Sequence, residues 1–173
     1  MKKILFAAIS VGMLMTGCTA GQMSQVKVST SQFDNSKNIS ARAMPALAHS
    51  KWYPSNVHFG ARWTDRAPQL LSLDVRFMHD YQNLDKLHFN ADGYVFDARK
   101  LNTTELERNE AYKASLAQYV ITVEQAKRIL ASKDAKFRIT TLSGKYTDGA
   151  IVLNGDKSMA YESINNVVQA IPQ

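Results

Sequence analysis

Residues 87–98 read Leu-His-Phe-Asn-Ala-Asp-Gly-Tyr-Val-Phe-Asp-Ala and carry the clearest fold signal in the chain. Leu87 and Phe89 alternate with polar residues before the pair Asp92-Gly93, and the alternation resumes after it. Alternation with period two indicates a half-buried strand. Asp-Gly between two such runs is typical of a tight hairpin, because glycine tolerates the positive φ of the turn. This stretch therefore predicts two antiparallel strands.

Other segments repeat the same alternation on both sides of this hairpin. They predict strands at residues 57–63, 71–77, 137–141 and 150–153, and the two glycines within 143–149 predict a second hairpin. Near the beginning, Val26–Thr30 predicts an edge strand, and we expect irregular chain from there through Pro45. Apolar and polar residues thus alternate along most of the chain with the two-residue period of a β-strand.

Two helices are predicted in the C-terminal half. Thr122 and Gln125 form a capping box, and an apolar stripe at helical spacing follows them. Asn154-Gly155-Asp156 is expected to end the preceding strand and to cap a final helix, whose inner face would comprise Ala160, Ile164, Val167, Val168 and Ile171. Residues 101–121 are ambiguous, since Thr103 or Thr104 could cap a helix whereas residues 119–121 look extended.

The order of these elements predicts an α+β fold. In it, an antiparallel sheet of hairpins in a meander carries the two C-terminal-half helices on one face. A β-sandwich with peripheral helices is the alternative. The chain has 173 residues, which suits a single domain.

Composition excludes several classes of protein. Apolar residues make up 45% of the chain, too many for a disordered protein. One cysteine cannot form an internal disulfide framework or a thiolate zinc site. The formal charge of +6 is scattered without a basic run, so nucleic acid is not an expected partner.

The first residues form an export signal. Lys2 and Lys3 give a positive start, and residues 4–15 are mostly apolar but too few to span a bilayer. The following Leu14-Met-Thr-Gly-Cys18 resembles the lipobox of bacterial lipoproteins, although the family usually has leucine where Met15 stands. The resemblance implies cleavage between Gly17 and Cys18 and lipid attached to Cys18.

The lipobox resemblance also implies location and domain organisation. Residues 1–17 would be the signal peptide, residues 18–50 a lipidated Ser-rich tether with the edge strand, and residues 51–173 a single globular domain. Thr19 follows the cysteine in place of the Asp that favours inner-membrane retention in enteric-type lipoproteins. An outer-membrane anchor with the domain facing the periplasm is therefore the expectation, and two or three acyl chains would make it stable.

The order of elements also resembles that of small proteobacterial envelope lipoproteins. The shared features are the Ser-rich start, the strand-rich stretch at residues 89–97, and the closing hairpin and helix at residues 137–171. This resemblance implies no particular activity.

Motifs for catalysis or metal binding are scarce. The four histidines (His49, His58, His79 and His88) lack metal-ligand spacing, although His58 and His88 would meet if their strands paired in a suitable register. Asp74 and Asp97 could approach each other as paired carboxylates. No Gly-x-Ser-x-Gly nucleophile turn or phosphate loop occurs in the sequence. We therefore predict no cofactor, no metal and no catalytic residue.

One aromatic and basic patch is a candidate binding surface. Trp52 and Tyr53 precede Pro54 in an expected loop, and Arg62 and Arg66 follow nearby. Tyrosine and tryptophan supply rigid contact area with a polar tip. Such a patch would suit a glycan or another envelope protein, whereas Phe59 and Trp63 are expected in the core.

These observations predict an outer-membrane lipoprotein with a binding or structural domain. An envelope hydrolase and an accessory subunit of a membrane assembly are the alternatives. The membrane lipid attached at Cys18 is the one specific partner that the sequence implies.

Overall fold

The computed structural model describes residues 25–48, 54–108 and 112–172. The predicted cleavage and lipidation positions, Gly17 and Cys18, lie outside the described residues. The strands are β1 (Lys27–Thr30), β2 (Lys37–Leu47), β3 (Pro54–Thr64), β4 (Leu70–Met78), β5 (Leu84–Ala91), β6 (Tyr94–Lys100), β7 (Glu105–Arg108), β8 (Lys113–Thr122), β9 (Ala135–Thr141), β10 (Tyr146–Leu153) and β11 (Asp156–Lys157). The helices are α1 (Val123–Ala131) and α2 (Met159–Ala170).

The strands form one antiparallel sheet that closes into an eight-stranded barrel. The order around the barrel is β2-β3-β4-β8-β6-β5-β9-β10, and β10 pairs with β2 through Ala150 and Leu47 to complete it. β1 extends the sheet beside β2, β7 pairs with the beginning of β8, and β11 pairs with β10. The β-rich antiparallel prediction is thus confirmed, but the expected open meander and the alternative sandwich are replaced by a barrel.

A glycine permits the barrel to close. A Cβ added at Gly149 would lie 2.7 Å from the Leu47 carbonyl oxygen and would collide with the Phe137 ring. The missing side chain therefore lets β10 approach β2 and lets the ring fill the space beneath the junction. Phe137 in turn packs edge-on against Phe59, with ring centroids 4.8 Å apart.

The predicted hairpin at residues 87–98 is confirmed. β5 and β6 pair through Phe89 and Phe96, and the turn residues Asp92 and Gly93 both have positive φ, at 49° and 90°. Their alternating apolar side chains point into the barrel core, where Phe89 stacks on Phe96 at 5.4 Å between ring centroids.

Both helices occur near the predicted positions. The capping box is present: the Thr122 side chain accepts from the Gln125 amide, and the Gln125 side chain accepts from the Thr122 amide. The last helix, however, is capped by Ser158 and not by residues 154–156, which form a turn and the short strand β11. Ile171 lies just after α2 and is only half-buried, unlike the other four predicted inner-face residues.

The two helices lie at one end of the barrel, here called the helical end. α1 begins where β8 ends and stops just before β9 begins, and it contacts α2. α2 packs mainly on β2 and β3, and its buried face belongs to the same apolar cluster as the barrel interior. The beginnings of β8 and β10 consequently lie at the opposite end.

One local prediction is wrong, and the structure decides the stretch that the sequence left ambiguous. The segment before Pro45 is not irregular but forms most of β2, whose alternation is interrupted by register shifts that make it hard to recognise in sequence. Residues 105–108 form the strand β7 and not a helix, because the beginning of β8 offers them a free edge for pairing. The sheet therefore includes β1 and β2, which precede residue 51.

Within the described part of the chain, no helix combines the length and the apolar character that crossing a membrane would require.

Candidate functional site

The outer face of the barrel carries a groove of about 650 Å³, here called the outer-face groove. It runs across β2, β3, β4 and β8, with β1 at one edge and the beginning of β7 at the other. Its charged and amide-bearing lining residues are Gln25, Lys27, Arg42, Arg62, Asp74, Arg76, Asn102, Glu105 and Gln118. A polar, concave surface of this size can accommodate part of a polar ligand.

A β-bulge in β2 forms one side of the groove. Ala41 lies opposite Ala61 and Met44 opposite Phe59, so Arg42 and Ala43 together face Gly60. Two residues opposite one define a bulge, which bends the strand and redirects its side chains.

Gly60 lets the bulge approach β3 closely. A Cβ at this position would lie 2.9 Å from both the Ala41 carbonyl oxygen and the Ala43 nitrogen. These are backbone atoms that cannot move aside like a flexible side chain. The glycine therefore fixes the close contact between β2 and β3 that positions Arg42 at the groove.

The bulge is also held from the opposite side. The hydroxyl of Ser163, a fully buried residue of α2, donates a 2.7 Å hydrogen bond to the Arg42 carbonyl oxygen. This bond satisfies a carbonyl that the interrupted ladder leaves without its regular partner. The helix thereby supports the backbone from which the Arg42 side chain extends.

Asp74 orients two groups in the groove. One of its carboxylate oxygens accepts a 2.6 Å bond from Arg62 Nε, and the other accepts a 3.0 Å bond from the Gln118 side-chain amide. The Arg62 side chain is nevertheless 59% exposed. Its terminal nitrogens have no bond to the residues that the structure describes, so they are oriented and available to a ligand.

The positive charges of the other cationic side chains in the groove are less well neutralised by carboxylates than the charge of Arg62 is. Arg76 lies 3.6 Å from a Glu107 carboxylate oxygen, which is an ion pair longer than a hydrogen bond. Arg42 Nε contacts the Met44 sulfur at 3.4 Å, and within residues 25–48, 54–108 and 112–172 neither Arg42 nor Lys27 pairs with a carboxylate. Four cationic side chains against two carboxylates in the lining give the groove an excess of positive charge.

His58 lies beside this cationic surface. It is opposite Arg76 on the neighbouring strand β4 and is half-buried. Burial, followed by the charges of Arg76 and His79, lowers the pKa of His58 below the usual 6.5. Both effects favour the neutral form of the imidazole.

The four residues of the predicted binding patch are placed as follows. Arg62 lies in the groove, whereas Arg66 belongs to the turn between β3 and β4 and forms a 2.6 Å ion pair with Asp34. Hydrogen bonds from Ser36 and Ser31, with a smaller contribution from Arg66, lower the pKa of Asp34 to about 2. Trp52 and Tyr53 lie outside the described residues.

The sequence-predicted polar pairs do not meet. His58 is on β3 and His88 on β5, with three strands of the barrel between them. Asp74 pairs with Arg62, whereas Asp97 lies 2.6 Å from His88 Nδ1, directly across the β5–β6 pair. Among the described residues, no group of three or more His, Cys, Asp or Glu side chains is arranged to hold a metal ion.

A second concavity of about 780 Å³ lies on the outer face of β5, β9 and β10. Arg138 donates two 2.7 Å bonds to Asp148 there, from Nε and one terminal nitrogen, which raises the pKa of the arginine further. Because the two opposite charges are paired in a bidentate geometry, this surface has less unsatisfied charge than the outer-face groove.

Sequence reasoning missed Lys27 and Arg42 as groove residues. Ile39 and Ala41 alternate with polar residues just before Arg42, and this pattern indicates the beginning of β2. The bulge that exposes Arg42 has only one sequence signal, which is Gly60 in the neighbouring strand. Comparison with known proteins adds no further assignment. No protein-family model and no curated protein matches this chain.

Proposed function

We propose that this protein is a lipid-anchored envelope protein whose barrel binds an anionic, carboxylate-bearing ligand in the outer-face groove. The export signal and the lipobox-like end at Cys18 support the anchor. The observation that carries the binding function is the pairing pattern of the groove. Arg42 and Lys27 have no carboxylate partner among the described residues, and they stand beside an Arg62 that Asp74 orients.

Carboxylate is the chemistry that this arrangement recognises best. A guanidinium presents its nitrogens in a planar fork that matches the two oxygens of a carboxylate, and charge-assisted bonds of this kind are the strong ones. Asp74 uses only Nε of Arg62, so the rest of that fork faces the groove. The amides of Asn102 and Gln118 add neutral donors and acceptors for the remainder of the ligand.

A binding module agrees better with these distances than the hydrolase alternative does. Of the residues considered for acid–base chemistry, only His88 and Asp97 contact each other, whereas Asp74 pairs with Arg62 and three strands lie between His58 and His88. The groove instead brings together groups that bind and orient.

The binding proposal is tested by titrating the full-length protein with triglutamate peptide and following the amide and guanidinium NMR signals. We expect saturable shifts at Arg42, Arg62 and Gln118, and trilysine peptide should produce none. R42Q should weaken triglutamate binding by about tenfold, as the loss of one charge-assisted bond implies.

The matched control is R128Q, which removes the same charge from the exposed face of α1 at the helical end. Equal losses of affinity in R42Q and R128Q would mean that triglutamate responds to net charge alone, and the groove would then be rejected as its site.

The anchor is tested separately in cells. C18A should abolish labelling by a radioactive fatty acid and release the protein in soluble form, because no sulfur remains for lipid attachment. T19D should keep the label but move the protein to the inner membrane, as the lipoprotein resemblance implies. Retention of C18A in the membrane fraction would contradict the anchor.

A further inference from the structure

Three exposed apolar side chains lie together at the end of the barrel opposite the helices. Tyr81 is in the loop between β4 and β5, Leu142 is in the turn between β9 and β10, and Tyr146 begins β10. Leu142 and Tyr146 are 65% and 61% exposed, and Tyr81 is 38% exposed. We call these three residues, together with Lys113 and Lys145, the barrel rim.

Hydrogen bonds join the loops that form the rim. The Leu142 amide donates to the Asn83 carbonyl oxygen at 2.9 Å, which joins the β9–β10 turn to the loop after β4. The Gln82 amide donates to the Ser115 hydroxyl at 2.7 Å, which joins the same loop to the beginning of β8. The loops that carry Tyr81 and Leu142 are therefore fixed to each other and to the beginning of β8.

The charge of the rim suits an anionic surface. Lys113 lies with its Nζ 5.7 Å from the centre of the Tyr81 ring, and both lysines act on the Asp80 carboxylate. Asp80 also accepts bonds from the Tyr81 amide and the Gln82 side chain, so local donors already compensate it. Tyrosine and leucine between lysines are typical of surfaces that lie in the headgroup region of a bilayer.

The direction of the N-terminal chain leads towards the same end. β1 is antiparallel to β2, with Lys27 opposite Ser40 and Thr30 opposite Lys37 at the helical end. Going back from Lys27 to Gln25, the chain therefore runs away from the helical end. Gln25 and Arg42 both line the outer-face groove, so Gln25 is level with the middle of β2.

The remaining chain is long enough to reach the plane of the rim. β2 extends from Arg42 to its end at Leu47 over five steps, or about 17 Å at 3.3 Å per residue. The seven steps from Gln25 back to Cys18 can cover at most about 25 Å. An acylated Cys18 could thus enter a bilayer that contacts the rim.

We infer that the barrel rests on its own membrane through the rim, with Tyr81, Leu142 and Tyr146 in the interface and Lys113 and Lys145 at anionic phospholipid headgroups. This inference rests on the proposed lipid anchor at Cys18. Once the anchor holds the barrel at the surface, the contact is effectively intramolecular, so a small apolar surface suffices. In this orientation the helical end points away from the membrane and the outer-face groove stays accessible from the side.

The test uses single cysteines in the full-length lipidated protein. Cys18 is the only cysteine, and lipid attachment alkylates its sulfur, so L142C supplies one reactive thiol at the rim. F33C is the matched control, since Phe33 is 95% exposed in the β1–β2 turn at the helical end. Each protein carries an environment-sensitive fluorophore and is reconstituted in vesicles of phosphatidylethanolamine and phosphatidylglycerol.

The expected result is blue-shifted emission and several-fold stronger quenching by headgroup-attached nitroxide lipid at L142C than at F33C. The charge reversals K113E and K145E, introduced together, should reduce the quenching at L142C. Hydrogen exchange of the wild-type protein gives a second measurement, in which residues 79–83 and 142–146 should be slower in vesicles than in detergent.

The outcomes separate the two proposals. An unacylated Cys18 in the mass spectrum would overturn the anchor and the rim contact with it. An acylated protein with equal quenching at the two labels, or stronger quenching at F33C, would overturn the rim contact alone. Exchange rates in vesicles that match those in detergent would do the same.

Discussion

The Ser163 hydroxyl donates a hydrogen bond to the carbonyl oxygen of Arg42, which lies 121 residues earlier in the chain. The bond connects a buried side chain of the last helix to the bulge of β2, on the opposite side of the strand from the outer-face groove. The backbone position of a surface arginine thus depends on the packing of the C-terminal helix. This relationship makes the groove sensitive to changes in the core.

S163A should destabilise the protein by about 1–3 kcal/mol, because the Arg42 carbonyl oxygen would lose the donor that the fully buried Ser163 supplies. Urea unfolding measures the free energy, and the triglutamate titration measures the groove in the same variant. S132A is the control, since its hydroxyl makes a bond of the same length to a carbonyl at the surface of α1. A smaller loss in S163A than in S132A would show that the bond to the bulge is dispensable.

G60A should destabilise the protein by roughly 1–3 kcal/mol, because the new Cβ would force β2 and β3 apart. Backbone atoms of Ala41 and Ala43 lie 2.9 Å from the Cβ position. Thermal and urea unfolding check the stability, and the change in Arg42 amide shifts checks the bulge. S72A, at a half-buried position on β4, is the control and should have a much smaller effect on stability. Unchanged Arg42 amide shifts in G60A would argue against the close contact between β2 and β3.

The stability of the fold should decrease as pH falls below 6.5, in part through His58. Burial and the charge of Arg76 lower the native pKa of His58, so the unfolded chain binds a proton that the native protein resists. The contribution of His58 to stability is present above pH 6.5 and is lost as the pH falls through the lowered pKa of the native protein.

Urea unfolding of the wild-type protein and of H58Q measures this contribution. The measurements run from about pH 8 to about pH 5, an interval that spans the usual pKa range of histidine. H58Q should lose part of the decrease. Identical pH profiles for the wild-type protein and H58Q would exclude His58 as its source.

T122A should cost about 0.5–2 kcal/mol, because it removes the side-chain acceptor of the Gln125 amide at the beginning of α1. T103A, at an exposed position between β6 and β7, is the control. Urea unfolding checks both variants. If T122A were as stable as T103A, water would replace the Thr122 side chain as the acceptor without loss of stability, and the prediction would be wrong.

Local sequence signals predicted the features that nearby residues can specify. The hairpin turn at Asp92-Gly93, the alternation within β4 and the capping box at Thr122 each depend on residues within a few positions of each other. These features are confirmed because their physical causes, steric freedom of φ, one-sided burial and satisfaction of helix amides, act over short distances.

Pairing with other strands explains where the structure differs from the sequence patterns. Residues 105–108 begin with a helix-compatible sequence, but they pair with β8 because its beginning has an unpaired edge there. In β2, the bulge opposite Gly60 shifts the alternation by one residue, so Ile39 and Ala41 are buried before it and Met44 and Ala46 after it. Neither edge nor bulge can be read from the segment itself.

The candidate site was predictable only in part. Arg62 was selected with its neighbours on the chain, but the residue that orients it, Asp74, comes from the next strand. Lys27 and Arg42 join the groove because β1 and β2 complete that side of the sheet. A surface that takes one or two residues from each strand depends on the order and the register of the strands. The residue pattern within a single strand carries little information about either.

The sequence by itself determined an antiparallel, β-rich chain with two helices and predicted an export signal that ends at Gly17, directly before Cys18, because turns, caps and apolar runs are local properties. The tertiary structure decided that the sheet closes, with β10 meeting β2 at Ala150 and Leu47. It also decided which cations share a groove and which apolar side chains share a rim. Closure depends on the summed twist and register of eight strands and on the space left by Gly149, so it becomes fixed only when distant segments pack together.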